Sequence, residues 1–174
     1  MPNPTSVDPR AAAEKVAETF GVKSAPVPVD RIAKSLGAIL RFSPLDEELS
    51  GMIHIKDDVP IIGVNSLHHP HRQRFTIAHE IGHLVLHRHL ITTSVHVDKA
   101  FPVLMRGVTS ALGTDPVEID ANAFASQLLI PNFLLNQVKG REPVDIDDDS
   151  PMEELAKKFR VSRKMVEFRL ASLG

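Results

Sequence analysis

The chain has 174 residues, 43% of them hydrophobic and 24% charged, a balance that suits one globular domain and excludes a disordered chain. A formal net charge of −2 supplies no global field for nucleic acid or an acidic membrane. The absence of cysteine, tyrosine and tryptophan rules out disulfides, thiolate catalysis, cysteine-ligated metal and any phenolic catalytic group.

Residues 1–9 hold three prolines and read as a loose lead-in to a single domain over 10–174. The opening MPNPTSVDPR has no basic n-region or apolar h-region, so it is not expected to be a signal peptide. No apolar run approaches the roughly 20 residues that span a bilayer. A cytoplasmic location without a membrane partner is expected.

RAAAEKVAETFG (10–21) predicts a helix stopped by Gly21, and DRIAKSLG predicts a second, capped by Asp30 and ending near Gly37. AILRF, SGMIHIK and VPIIGVN follow as three short strands, with Asp57-Asp58 turning between the last two. HRQRFTIAHEIGHLVLHRHL (71–90) has the clearest helical signature. An irregular stretch over 91–116 precedes the helix PVEIDANAFASQLLIP (116–131), with Pro at its start and acids near its N-terminus. PNFLLNQVKG is short and helical, VDIDDDSP is an acidic linker, and residues 150–174 form a helical subregion turning at RVS.

The 71–90 helix carries the chemistry. His79 and His83 lie one turn apart on one face, close enough for both imidazoles to bind one ion. Glu80 follows His79, so H-E-x-x-H sets a carboxylate beside the metal as general base for a metal-activated water. The flanking Phe75, Ile77, Ala78, Ile81 and Leu84 mark a buried helix, where an ionisable trio is costly unless paired or metal-bound. Gly82 in mid-helix costs about 1 kcal/mol relative to alanine and predicts a close neighbour.

A catalytic zinc takes three protein ligands. His89 has the spacing of H-E-x-x-H-x-x-G-x-x-H, but Leu86 occupies the glycine position. In a continuous helix His89 would rise about 15 Å above His79 and miss the metal. In the 116–131 helix, Glu118, Ala121, Asn122 and Ala125 share a face, and the small residues permit close helix–helix approach. Asp120, rotated by about 200° from Glu118, is the competing carboxylate. Asn122 would orient a histidine or carboxylate.

RFTIAHEIGHLVLH followed by EIDANAFASQLLIP resembles the ImmA/IrrE family of metallo-endopeptidases, and LAKKFRVSRKMVEFRL is similar to that family's C-terminal segment. The likeness runs from about residue 26 to 172. It implies a Zn2+ site with His79, His83 and Glu118 as ligands and Glu80 as the catalytic base. It further implies a cytoplasmic endopeptidase that cuts a helix-turn-helix, DNA-binding repressor, relieving repression under stress or on mobile-element induction. Two departures stand out: Asp120 occupies a position where family members often carry Glu, and 91–116 lengthens the His83–Glu118 gap to 35 residues. The expected fold is α+β, a small antiparallel sheet packed against a zincin-like helix pair with a helical C-terminal segment.

The alternative is a non-catalytic antirepressor or antitoxin-like binding module with a structural or vestigial metal. An oxyanion-stabilising group would come from His54, His69, His96 or Arg106, since no tyrosine exists. His87 would support the site. HHPHR (68–72) reads as a loop entering the helix, with Arg72 and Arg74 anchored to acidic neighbours. Lys157, Lys158, Arg160, Arg163, Lys164 and Arg169 give the C-terminus a basic helix–turn–helix rhythm. Glu153, Glu154 and Glu167 offset that charge, so direct nucleic-acid binding is not expected and docking of a DNA-binding partner suits the surface better.

Overall fold

The structure is a computed structural model, and it describes residues 7–91, 96–98, 115–139 and 150–173. Helix α1 (Pro9–Thr19) starts where the Asp8 carboxylate accepts the Arg10 N–H at 3.0 Å and ends at Gly21, whose φ of 67° is the left-handed stop expected there. Helix α2 (Val29–Ser35) is entered through Pro28; Asp30 lies in its first turn and makes no cap, contrary to expectation. Its charge still complements the positive end of the helix dipole.

The class is α+β, as expected. Strands β1 (Ile39–Ser43), β2 (Gly51–Lys56), β3 (Val59–Asn65) and β4 (His96–Asp98) form one sheet in the order β1-β3-β2-β4. Asp57 and Asp58 both take positive φ, 51° and 63°, matching the right-handed twist of the β2–β3 hairpin.

The expected antiparallel sheet is mixed in fact, because β1 runs parallel to β3, from Ile39↔Ile61 to Ser43↔Asn65. The chain over 44–50 rounds the end of β3 instead of turning back on β1. Buried Asn65 holds this crossover: its Oδ1 accepts from Leu45 and Leu67 N–H, and its Nδ2 donates to the Leu49 carbonyl at 2.8 Å. β4 pairs antiparallel with β2, Gly51↔Asp98 to Ile53↔His96, within a stretch expected to be irregular.

The remaining described helices are α3 (Pro70–Leu86), α4 (Arg88–Ile91), α5 (Pro116–Leu129), α6 (Asn132–Lys139), α7 (Ser150–Phe159) and α8 (Arg163–Ala171). Helix α3 lies on β2 and β3, α5 packs on α3, and α1 packs on α5. Ile53 and Ile62 of the sheet, Ile81 of α3, and Phe124 and Leu128 of α5 are fully buried in the core they share. The helix expected over 71–90 stops short: His87 takes φ −124° and ψ 25°, and the chain restarts as α4.

The C-terminal pair turns at Arg160, with the Ser162 hydroxyl accepting the Met165 N–H. It is fastened to the rest by arginines donating to backbone carbonyls. Arg74 reaches Val27 at 2.8 Å and Arg160 at 3.2 Å, where acidic partners were expected. Arg169, read in sequence as part of a basic face, is 1% exposed and donates to the Ile130 carbonyl. Among the described residues, no helix is long and apolar enough to cross a membrane.

Candidate metal centre

One turn of α3 and the first turn of α5 meet at three side chains. His79 Nε2 lies 3.2 Å from one Glu118 oxygen, His83 Nε2 lies 3.3 Å from the other, and the two Nε2 atoms are 3.0 Å apart. His79, His83 and Glu118 are 1%, 0% and 8% exposed. Among the described residues they are the His/Asp/Glu group whose ligand atoms converge on one point.

The ring orientation follows from what touches the far nitrogens. His79 Nδ1 lies 2.9 Å from Asn122 Oδ1, an acceptor, so Nδ1 carries the proton and Nε2 turns its lone pair toward Glu118. His83 Nδ1 meets His87 Nδ1 at 3.3 Å, and His87 Nε2 points at Asp120 from 3.8 Å. Burial pushes the His87 imidazole below its ordinary pKa, opposed by Asp120 beside it, so a neutral ring can accept the His83 proton. Asp120 thus faces His87 while Glu118 faces both histidines, as the rotation between them requires.

Two glycines let the elements close around the site. A Cβ on Gly82 would sit 3.2 Å from the Phe124 ring and 3.3 Å from the Ala121 backbone, which is the close neighbour expected at that position. A Cβ on Gly51 of β2 would run into Thr76 and come within 3.2 Å of a Glu80 oxygen. Glu80 is fully buried between α3 and β2. This role of Gly51 escaped the sequence reading; a glycine opening a strand was its one signal.

The other expected candidates divide clearly. His89 is exposed on α4 and stands apart from the converging group. His69 caps α3, ten residues before His79. On β2, Gly51 faces α3, so alternation turns His54 to the opposite side of the sheet. The backbone of His96 pairs with Ile53 in the sheet. Arg106, the rest of the long 91–116 segment bar 91, 96–98 and 115–116, and the acidic linker before 150 lie outside the described residues.

The donor set suits a divalent metal. Tetrahedral zinc with bonds near 2.0–2.2 Å holds its ligand atoms about 3.3 Å apart, close to the separations among His79, His83 and Glu118. Nitrogen and carboxylate donors with oriented imidazoles match what such an ion takes.

The model of a known family, Peptidase M78, the IrrE N-terminal-like domain, matches residues 33–171. The chain is 30% identical over 102 residues to Metallopeptidase ImmA of Bacillus subtilis (strain 168), a match covering 59% of this chain and 51% of that protein. It is 29% identical over 108 residues to Uncharacterized immunity region protein 2 of Bacillus phage phi105, covering 62% and 61%. The chain therefore spans about half to three fifths of these relatives. A solved Mycobacterium tuberculosis transcriptional regulator shares the fold, with a TM-score of 0.62 at 19% identity over 94% of this chain and 46% of that one.

Proposed function

The chain belongs to the IrrE N-terminal-like family, Peptidase M78, and from that premise we propose that it is a zinc-dependent endopeptidase that cuts a protein partner. His79, His83 and Glu118 would hold the ion. When bound, zinc supplies Lewis-acid polarisation of a carbonyl and lowers the pKa of a water. Glu80 takes the proton of the attacking water and delivers it to the departing amide nitrogen. Asn122 and His87 keep the two imidazoles turned inward. The water-poor surroundings of Glu80 strengthen each of these electrostatic interactions.

The observation that carries this reading is Glu80, a wholly buried carboxylate set between the two converging histidines in sequence and closed over by a glycine of β2. A module acting by contact alone has no use for a base there.

The substrate in this proposal is a DNA-binding repressor of helix-turn-helix type. Its support is the likeness to a metallopeptidase and to a phage immunity-region protein, and the fold shared with a transcriptional regulator. The test is zinc analysis with co-expression of the chain and helix-turn-helix repressors from its own genome. Cleavage by the wild type, lost in Glu80→Gln while zinc content is kept, is expected. Intact repressor beside zinc-loaded wild type would overturn the protease reading and leave the contact-only antirepressor.

A further inference from the structure

Helix α3 turns a polar seam toward the start of β2. Arg72, Thr76 and Glu80 follow one another at four-residue steps, so they lie along one side of the helix. Arg72 Nη2 donates to Ser50 Oγ at 3.0 Å, and Glu80 lies against Gly51. Thr76 meets the same wall: a Cβ on Gly51 would run into its Cγ2 as well as come within 3.2 Å of Glu80 Oε1. Thr76 is therefore a neighbour of the carboxylate through the strand as well as along the helix.

Thr76 is 0% exposed, yet its Oγ1 has no hydrogen-bond partner among the described residues. A threonine hydroxyl in a helix can donate to the carbonyl one turn back, here that of Arg72, and this bond is not made. A buried polar atom without a partner costs free energy. Valine has the same shape and would fill the space over Gly51 without that cost. Packing accounts for the methyl group, and the hydroxyl is left to be explained by what lies one turn ahead of it, the Glu80 carboxylate.

We propose that Thr76 is a positioning residue for Glu80, its hydroxyl holding the carboxylate in the orientation from which it serves the attacking water. The inference rests on the reading of Glu80 as the base. Side chains four residues apart on a helix have Cβ atoms about 5–6 Å apart, so rotation about side-chain bonds alone can close the bond. A hydroxyl donates to Glu80 as a carboxylate and accepts from it once it carries the water's proton, so one group holds both forms. Valine holds neither. Serine, which keeps the hydroxyl, holds both.

The test uses the zinc-loaded protein. A high-resolution crystal structure of the wild type is expected to place Thr76 Oγ1 about 2.5–2.8 Å from a Glu80 oxygen. A separation above about 3.5 Å would overturn the inference. In repressor cleavage, Thr76→Val should lower kcat by about 10–100-fold with KM and zinc content kept, the scale of loss that a misplaced reacting group produces. Thr76→Ser should recover most of that loss. Wild-type kcat in Thr76→Val, or equal losses in the two variants, would show that the hydroxyl holds nothing and equally overturn the inference. Should Thr76→Val fail to fold, the wild-type distance and the Thr76→Ser kinetics still decide. A zinc-loaded wild type that cuts no repressor would sink the protease reading instead, and the crystallographic distance would then judge the contact with Glu80 by itself.

Discussion

Asn122 accepts the Nδ1 proton of His79 at 2.9 Å, and that hydrogen bond decides which ring nitrogen turns its lone pair toward Glu118. Such outer partners are worth roughly 10–100-fold in metal affinity. Asn122→Ala should therefore weaken zinc binding by about that factor in competition with a chromophoric chelator, with folding retained; unchanged affinity would remove Asn122 from the centre. Removing Glu118 is more severe, because both its oxygens face histidines, at 3.2 and 3.3 Å. Glu118→Ala should purify with little zinc, whereas Asp120→Ala should retain it, since Asp120 stands 3.8 Å from His87 instead. The reverse pattern would hand the ligand role to Asp120. That Glu118 and not Asp120 turns toward His79 and His83 was legible in sequence because helical rotation separates two residues so close in the chain. The His83–His87–Asp120 chain was not. It needs the two helices docked before His87 and Asp120 become neighbours.

At the scale of elements, the α3–α5 contact turns on Gly82, where two effects of opposite sign compete. Alanine would gain about 1 kcal/mol of helix propensity. Its Cβ, however, would lie 3.2–3.3 Å from Phe124 and the Ala121 backbone, and backbone cannot swing aside as a side-chain tip can. Overpacking of this kind costs about 1–3 kcal/mol. Gly82→Ala is therefore expected to lower stability in urea unfolding despite its better propensity, and to weaken zinc binding as the helices part. A more stable Gly82→Ala would mean that the helices are not held as closely as described. The glycine was a visible signal because it contradicts the helix around it. Strand pairing was less visible: the Asp57-Asp58 turn fixed the β2–β3 hairpin locally, but nothing local says that β1 passes around β3. That topology rests on Asn65 reaching Leu45, Leu67 and Leu49. Three-residue β4 has too little pattern of its own and takes its place from the edge of β2.

For the molecule as a whole, a metal held by His79, His83 and Glu118 would tie α3 to α5 across 35 residues of sequence. Helices of this length gain most of their stability from tertiary packing, so the tie belongs to the folded state and is absent from the unfolded chain. Ligand binding to the native state alone stabilises it by about 4 kcal/mol at a free concentration 1,000 times Kd. With each kcal/mol worth roughly 2–4 °C in a domain of 150–250 residues, saturating zinc should raise Tm by about 8–16 °C over metal-stripped protein. The shift should vanish in Glu118→Ala and survive in Glu80→Gln, because Glu80 is assigned to proton transfer and not to the ion. Scanning calorimetry of the three proteins, each stripped and zinc-loaded, separates the roles. An equal zinc shift in Glu118→Ala would show the ion bound elsewhere, for instance at the His68–His71 cluster. A shift lost in Glu80→Gln would make Glu80 part of the metal's support and remove the base from the proposed reaction.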